Sequence, residues 1–292
     1  MAAIRPRRSV LYMPGSNARA MEKAQSLPAD AVILDLEDAV APDAKEMARA
    51  QVCEVVKAKR FGKREVVIRV NGLSTAWGAA DLAAAALAQP DAILLPKVST
   101  PRDLAEAEEH LSGTKGAETA LWAMMETPLA ILNAGAIASH GFNQGGHLAC
   151  LVMGTNDLIK EFRGRHTLDR QNLSAALGLS VAAARAYGLA VIDGVYNDIA
   201  DAEGFAAACQ QARAYGFDGK TLIHPSQLGP CNDIFAPSAE EVAAARKIIA
   251  AFELPENKGK GAIALDGKMV ERMHAEIARQ TVALADAIAA LA

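Results

Sequence analysis

The feature that most constrains this chain is a repetition. Eight short apolar runs, at residues 9–13, 31–36, 65–70, 92–98, 120–125, 148–153, 189–195 and 220–223, are each followed by a turn or a helical segment. Most are continuously hydrophobic instead of alternating, as strands buried on both faces of a parallel sheet must be. The stretches between them, including 45–59, 79–88, 101–111, 175–186 and 203–215, are Ala-rich with charges at helical spacing, and parallel neighbours require such crossovers. Eight βα units is the count of a closed barrel, so the chain is expected to be α/β, a (β/α)8 TIM barrel over residues 1–236. The sixth unit is longer, with helical pieces at 157–165 and 169–187 and an inserted loop expected over the barrel mouth.

Residues 237–292 break the pattern. Ser238 with Glu241 forms a capping box that opens a helix through Val242, Ala245, Ile249 and Phe252. Asp266-Gly267 centres a short hairpin, and Val270, Met273, Ile277, Leu284 and Ile288 stripe a last helix. A barrel closes without this helix-hairpin-helix extension, which makes it a candidate lid or subunit-contacting arm.

Composition excludes several function classes. A net charge of -4 and an aromatic content of 4% leave neither the basic footprint nor the stacking rings of a nucleic-acid binder. No 18-residue apolar span is free of charge, so no membrane partner is expected and a cytoplasmic location is. Cys53, Cys150, Cys209 and Cys231 are isolated, without metal-ligand or redox spacing. A small-molecule substrate is the expectation.

Barrel active sites lie at the C-terminal ends of the strands. There the chain carries Asp35, Glu37 and Asp38 after the second run, Arg69 in the third, Lys97 after the fourth, Glu126 after the fifth, Asp157 after the sixth and His224 after the eighth. Glu126 and Asp157 occupy equivalent points of successive repeats, and a hard dication takes one or two carboxylates plus waters and substrate oxygens. Arg69, inside an Ile-Arg-Val strand, offers a two-pronged donor for a substrate carboxylate. Structural readings stand beside these: helix caps for Asp35 and Asp38, an ion-pair partner of Asp35 or Glu37 for Arg69, a barrel ion pair for Lys97, a structural role for His224. Gly15 and Gly154 belong to no dinucleotide fingerprint.

Several of these residues fall in motifs. Arg8-Ser9-Val10-Leu11-Tyr12-Met13-Pro14-Gly15, Leu34-Asp35-Leu36-Glu37-Asp38, Ile68-Arg69-Val70-Asn71, Leu95-Pro96-Lys97, Glu126-Thr127-Pro128, Asn156-Asp157 and Gly267-Lys268-Met269-Val270 together resemble the citrate lyase β-subunit and malyl-CoA lyase family, in the order in which the family carries them. The resemblance implies a trimeric or hexameric barrel enzyme that cleaves a carbon–carbon bond of a 3-hydroxyacyl thioester with Mg2+, or Mn2+ in its place. It implies metal ligation by Glu126 and Asp157, a substrate site that includes Arg69, Gly154 and Thr155, and contacts of Asp35, Glu37 and Asp38 around the metal's waters. Arg8 and Lys45 are implied to meet the coenzyme A arm. Glu271 stands where the family carries an aspartate that reaches a neighbouring subunit. A thioester hydrolase or a malate-synthase-like activity at the same site, a class II 2-keto acid aldolase and a subunit working with an acyl-carrier protein are the rival readings.

Overall fold

The computed structural model describes residues 4–143 and 146–291. The eight runs form β1 Ser9–Pro14, β2 Ala31–Asp35, β3 Glu65–Arg69, β4 Ala92–Leu95, β5 Ala120–Met125, β6 Leu148–Met153, β7 Ala190–Asp193 and β8 Gly219–Leu222. Each pairs in parallel with the next and β8 returns to β1, closing the barrel. This is the (β/α)8 architecture the repetition requires.

Strand alternation decides what reaches the mouth. Val10, Ile33, Val67, Leu94, Trp122, Met124, Val152 and Ile192 fill the interior, and every second residue of a strand shares a face. Continuing that period past the packed layers puts Asp35, Arg69, Glu126 and Gly154 on the inward side at the C-terminal end. Asp193, one residue after inward Ile192, turns outward toward the helices.

The opposite end is closed by ion pairs. Arg7 donates to Glu65 at 2.6 and 2.8 Å and lies 5.2 Å from the Trp122 ring centroid. Arg8 holds both oxygens of Asp30 at 2.8 Å. Charged groups at this end of a barrel serve stability.

The sixth unit differs in detail from its expectation. Its first helix is Thr155–Glu161, and after the insertion a short turn at Gln171–Leu173 leads into the helix Ser174–Ala186. The end of the insertion is pinned to the outer flank of the barrel, where Arg170 binds Asp193, because the acid at the end of β7 points outward.

The barrel unit runs Arg7–Asn232 and ends inside the helix Leu228–Phe235. Within it, Asn232 donates to the Pro28 carbonyl at 2.7 Å and the Cys231 thiol to the Arg8 carbonyl at 3.1 Å. The second unit contains Asp233–Ala292. Its helix Ala239–Glu253 begins at the Ser238/Glu241 capping box. Next come β9 Ala262–Leu265 and β10 Lys268–Glu271, antiparallel. They are joined through Asp266 and Gly267 at φ +50° and +75°, the paired left-handed conformation of a tight hairpin. The helix Arg272–Leu291 packs along Ala239–Glu253. No described helix is long and apolar enough to cross a membrane.

Candidate active site

Glu126 follows β5 directly and is 2% exposed. Its Oε1 accepts the backbone N–H of Lys97 at 2.7 Å. Its Oε2 lies over Gly154, where an added Cβ would collide with both Oε2 and the Glu126 Cβ. Gly154 is therefore required by close approach of this carboxylate. Burial, the nearby charge of Glu37 and then that of Asp157 push the Glu126 carboxyl up to about 7, against the lowering effect of the Lys97 N–H. Asp157 is half-buried in the first turn of the Thr155–Glu161 helix. Thr155, buried at the start of that helix, packs where a side chain at Gly194 would stand.

Arg69 fills the centre of the mouth. Its Nε and Nη2 each donate to Asp35 at 2.7 Å, and its guanidinium lies 5.0 Å from the Tyr12 ring centroid. The two-pronged edge expected to grip a substrate carboxylate is thus engaged by Asp35. The remaining nitrogen, Nη1, faces Glu37 at 3.0 Å and Asp38 at 3.6 Å. Asp35 itself is saturated, since it also accepts the backbone N–H groups of Glu37 and Ala39. That makes it an anchor of the β2 turn and leaves no lone pair for a metal's waters.

Glu37 is 8% exposed. Its Oε2 is shielded from solvent, and although Arg69 Nη1 is within ion-pair distance, the alignment is too poor for a hydrogen bond, so this oxygen accepts none. Its Oε1 is 3.5 Å from Lys97 Nζ. Burial raises the Glu37 carboxyl, with Arg69 and Lys97 opposing and Asp38 and Asp35 adding to the rise. A buried carboxylate oxygen that has an ion-pair neighbour but accepts no hydrogen bond is incompletely compensated.

Two expected cofactor contacts lie elsewhere. Arg8 sits before β1 at the N-terminal end of the barrel, held by Asp30, because six strand residues separate it from the mouth. Lys45 is buried and donates to the carbonyls of Leu36 and Glu37 and to Asn71 Oδ1 at 2.6–2.8 Å. All three donors of its ammonium are spent on holding the β2 and β3 turns, so neither side chain is placed to meet a coenzyme arm. His224 caps the turn Pro225–Gln227 by accepting the Ser226 N–H, the structural role. Glu271 is the last residue of β10 in the second unit, and its N–H donates to His274 Nδ1 at 2.9 Å.

Some partners carry no signal in sequence spacing. Asn156 and Asn197 exchange reciprocal amide hydrogen bonds at 3.2 and 2.8 Å, tying the helix of Asp157 to the loop after β7. The Lys97 N–H on Glu126 is a backbone contact that no residue pattern announces.

Among the described residues no group of three or more His, Cys, Asp or Glu side chains is arranged to hold a metal. The acids that act on Glu126 at the mouth are Glu37 and Asp157, all oxygen donors. That suits a hard dication with few protein ligands and not Zn2+, which takes His and Cys in closed tetrahedra.

A family model described as HpcH/HpaI aldolase/citrate lyase matches residues 8–225. The (3S)-malyl-CoA thioesterase of Cereibacter sphaeroides is 53% identical over 285 residues, covering 98% of this chain and 96% of that protein. The citrate lyase subunit beta of Escherichia coli K12 is 33% identical over 91% of this chain and 89% of its own length. Among solved structures, protein CitE from Mycobacterium tuberculosis in complex with magnesium, acetoacetate and coenzyme A matches with a TM-score of 0.78 at 29% identity, covering 98% of this chain and 100% of that one. By sequence and by barrel geometry alike, the chain belongs to the HpcH/HpaI aldolase/citrate lyase family.

Proposed function

We propose that the protein is a Mg2+-dependent enzyme that hydrolyses a malyl-type coenzyme A thioester to the free hydroxy acid and CoA. The observation that carries the metal site is Glu126: buried, flanked by two further acids, and with one oxygen tied to a backbone N–H while the other rests open over Gly154. The 53% identity to a malyl-CoA thioesterase supports hydrolysis. Glu126 and Asp157 would hold the ion, whose chemistry is Lewis-acid polarisation of substrate oxygens.

The chain's own groups then orient the acyl part. Nη1 is the one Arg69 nitrogen not bonded to Asp35; it faces Glu37 and Asp38, so a substrate carboxylate would have to compete with those acids for it while Asp35 keeps the plane fixed. The rim cation Lys97 is the second positive group there. Gly154, whose missing side chain lets the Glu126 carboxylate approach, and Thr155 form the wall beside Glu126. In hydrolysis, water adds to the thioester carbonyl, the C–S bond breaks and the thiol leaves as free CoA. Glu271, supplied by another copy in a homotrimer or hexamer, is the carboxylate proposed for proton transfer, and a carrier-protein thioester is the alternative substrate form.

A second reading, cleavage of the carbon–carbon bond to a keto acid and a shorter acyl-CoA, is favoured by the 33% identity to a citrate lyase subunit. One incubation with (3S)-malyl-CoA and Mg2+ tests both. Malate with free thiol is the expected product pair. Glyoxylate with acetyl-CoA identifies the lyase. Substrate unchanged with Mg2+, or consumed equally with a chelator, overturns the metal-dependent assignment.

A further inference from the structure

Lys97 has a backbone shape that its side chain does not explain. Its φ is +52°, in the left-handed region that glycine or asparagine takes at less cost. Two constraints hold it there. Val98 is 1% exposed, so the chain must turn its side chain inward immediately after Lys97. Ser99 is then fastened on both sides, its N–H to Asp103 and its hydroxyl to Thr127, each at 2.8 Å. The turn points the Lys97 N–H at Glu126 and lifts the side chain over the acids.

A glycine would supply the N–H with less strain, so the presence of lysine asks what the ammonium does. Its Nζ is 3.5 Å from Glu37 Oε1, a long contact, and the side chain is 55% exposed. The ammonium thus stands at the solvent-facing rim of the acids, with one long contact to them. Glu37, Glu126, Asp157 and Asp38 all act on its charge. Arg69 cannot take this part, because Asp35 locks its guanidinium in place. Lys45 cannot either, since its ammonium is buried among carbonyls.

We propose that Lys97 is a positioning residue that serves as the built-in counter-cation of the metal-binding acids, occupying their field until Mg2+ arrives and then turning outward to the substrate's anionic end. The inference rests on the metal site proposed above. Both cations draw on the same negative field, so lysine makes the empty site less avid and the loaded site ready for an anion. A lysine that merely pairs with Glu37 would leave metal affinity unchanged.

Calorimetric titration of Mg2+ into the full-length protein, without substrate, separates the two. Lys97→Met should bind Mg2+ about tenfold more tightly than wild type, because one unit charge leaves the field of the dication. Lys97→Arg, which keeps the charge, should stay within about a factor of two. Lys97→Gly should follow the methionine variant, and it carries the test should Lys97→Met fold poorly, since it relieves the turn. Equal or weaker Mg2+ binding by Lys97→Met and Lys97→Gly, with wild-type binding dependent on Glu126, overturns the role of Lys97 alone. Absence of wild-type binding, or unchanged binding by Glu126→Gln, overturns the metal site and this inference together.

Discussion

Glu126 and Asp193 end neighbouring parts of the same barrel, and both are buried acids, at 2% and 0% exposure. Burial pushes both carboxyls up, yet they finish on opposite sides of the ordinary range. Asp193 meets the fully buried Lys220 at 2.6 Å and Arg170 at 2.7 Å, and these two cations outweigh desolvation, so its carboxyl ends low. Glu126 meets a backbone N–H and two more acids, against which the Arg69 guanidinium acts only weakly, and its carboxyl ends near 7. Desolvation is common to the two sites; what differs is whether the chain supplies the compensating charge. The outward-facing cluster is complete in itself and staples the insertion to β7 and β8. The inward-facing cluster is short of positive charge, which is the condition for binding a cation from outside.

The contrast breaks most visibly at Glu126. Glu126→Gln should lower turnover by at least about a hundredfold, since even partners one shell further from a metal cost up to that much. It should leave the melting temperature equal or higher, because an uncompensated buried charge is gone. A stable, fully active variant in a product assay would end the distinction. Lys220→Met should do the reverse, costing about 3–5 kcal/mol in urea unfolding because Asp193 loses a partner inside the protein. Since the Asp193 carboxyl is held low, the stabilisation is present above the ordinary aspartate range and lost as pH falls through the folded value, so the penalty of Lys220→Met should shrink in acid. A penalty that is small or independent of pH would show the cluster to be dispensable.

The gentlest test is pH. With Glu126 near 7, the free site carries a proton below that pH that Mg2+ must displace. Affinity should be full above about pH 7 and weaken on acidification, approaching roughly tenfold per pH unit as a single-proton exchange requires. Calorimetry at several pH values, with the proton count taken from the buffer dependence, would show whether one carboxyl governs binding.

Much of this was legible from residue order. Continuous apolar runs located all eight strands, and the ends of β5 and β6 coincide with the expected boundaries because turn-forming residues follow directly. The Ser238/Glu241 box and the Asp266-Gly267 turn were readable because caps and tight turns depend on neighbours three or fewer residues away. Arg69 stood out because a strand interior rarely carries a guanidinium. Other features were not local. Asp193, Arg170 and Lys220 meet only when β7 and β8 come into register and an insertion folds back. Arg8 and Lys45 carry the charge a coenzyme needs, yet one lies at the far end of a strand and the other is enclosed by carbonyls.

From its sequence alone the chain was committed to a parallel barrel with acids at the strand ends, because hydrophobic period and turn chemistry act over a few residues. Which of those acids stays unsatisfied was decided by the closed fold. Partnership among buried charges depends on register and on the inward or outward turn of single residues, and a shift of one position along a strand exchanges the two.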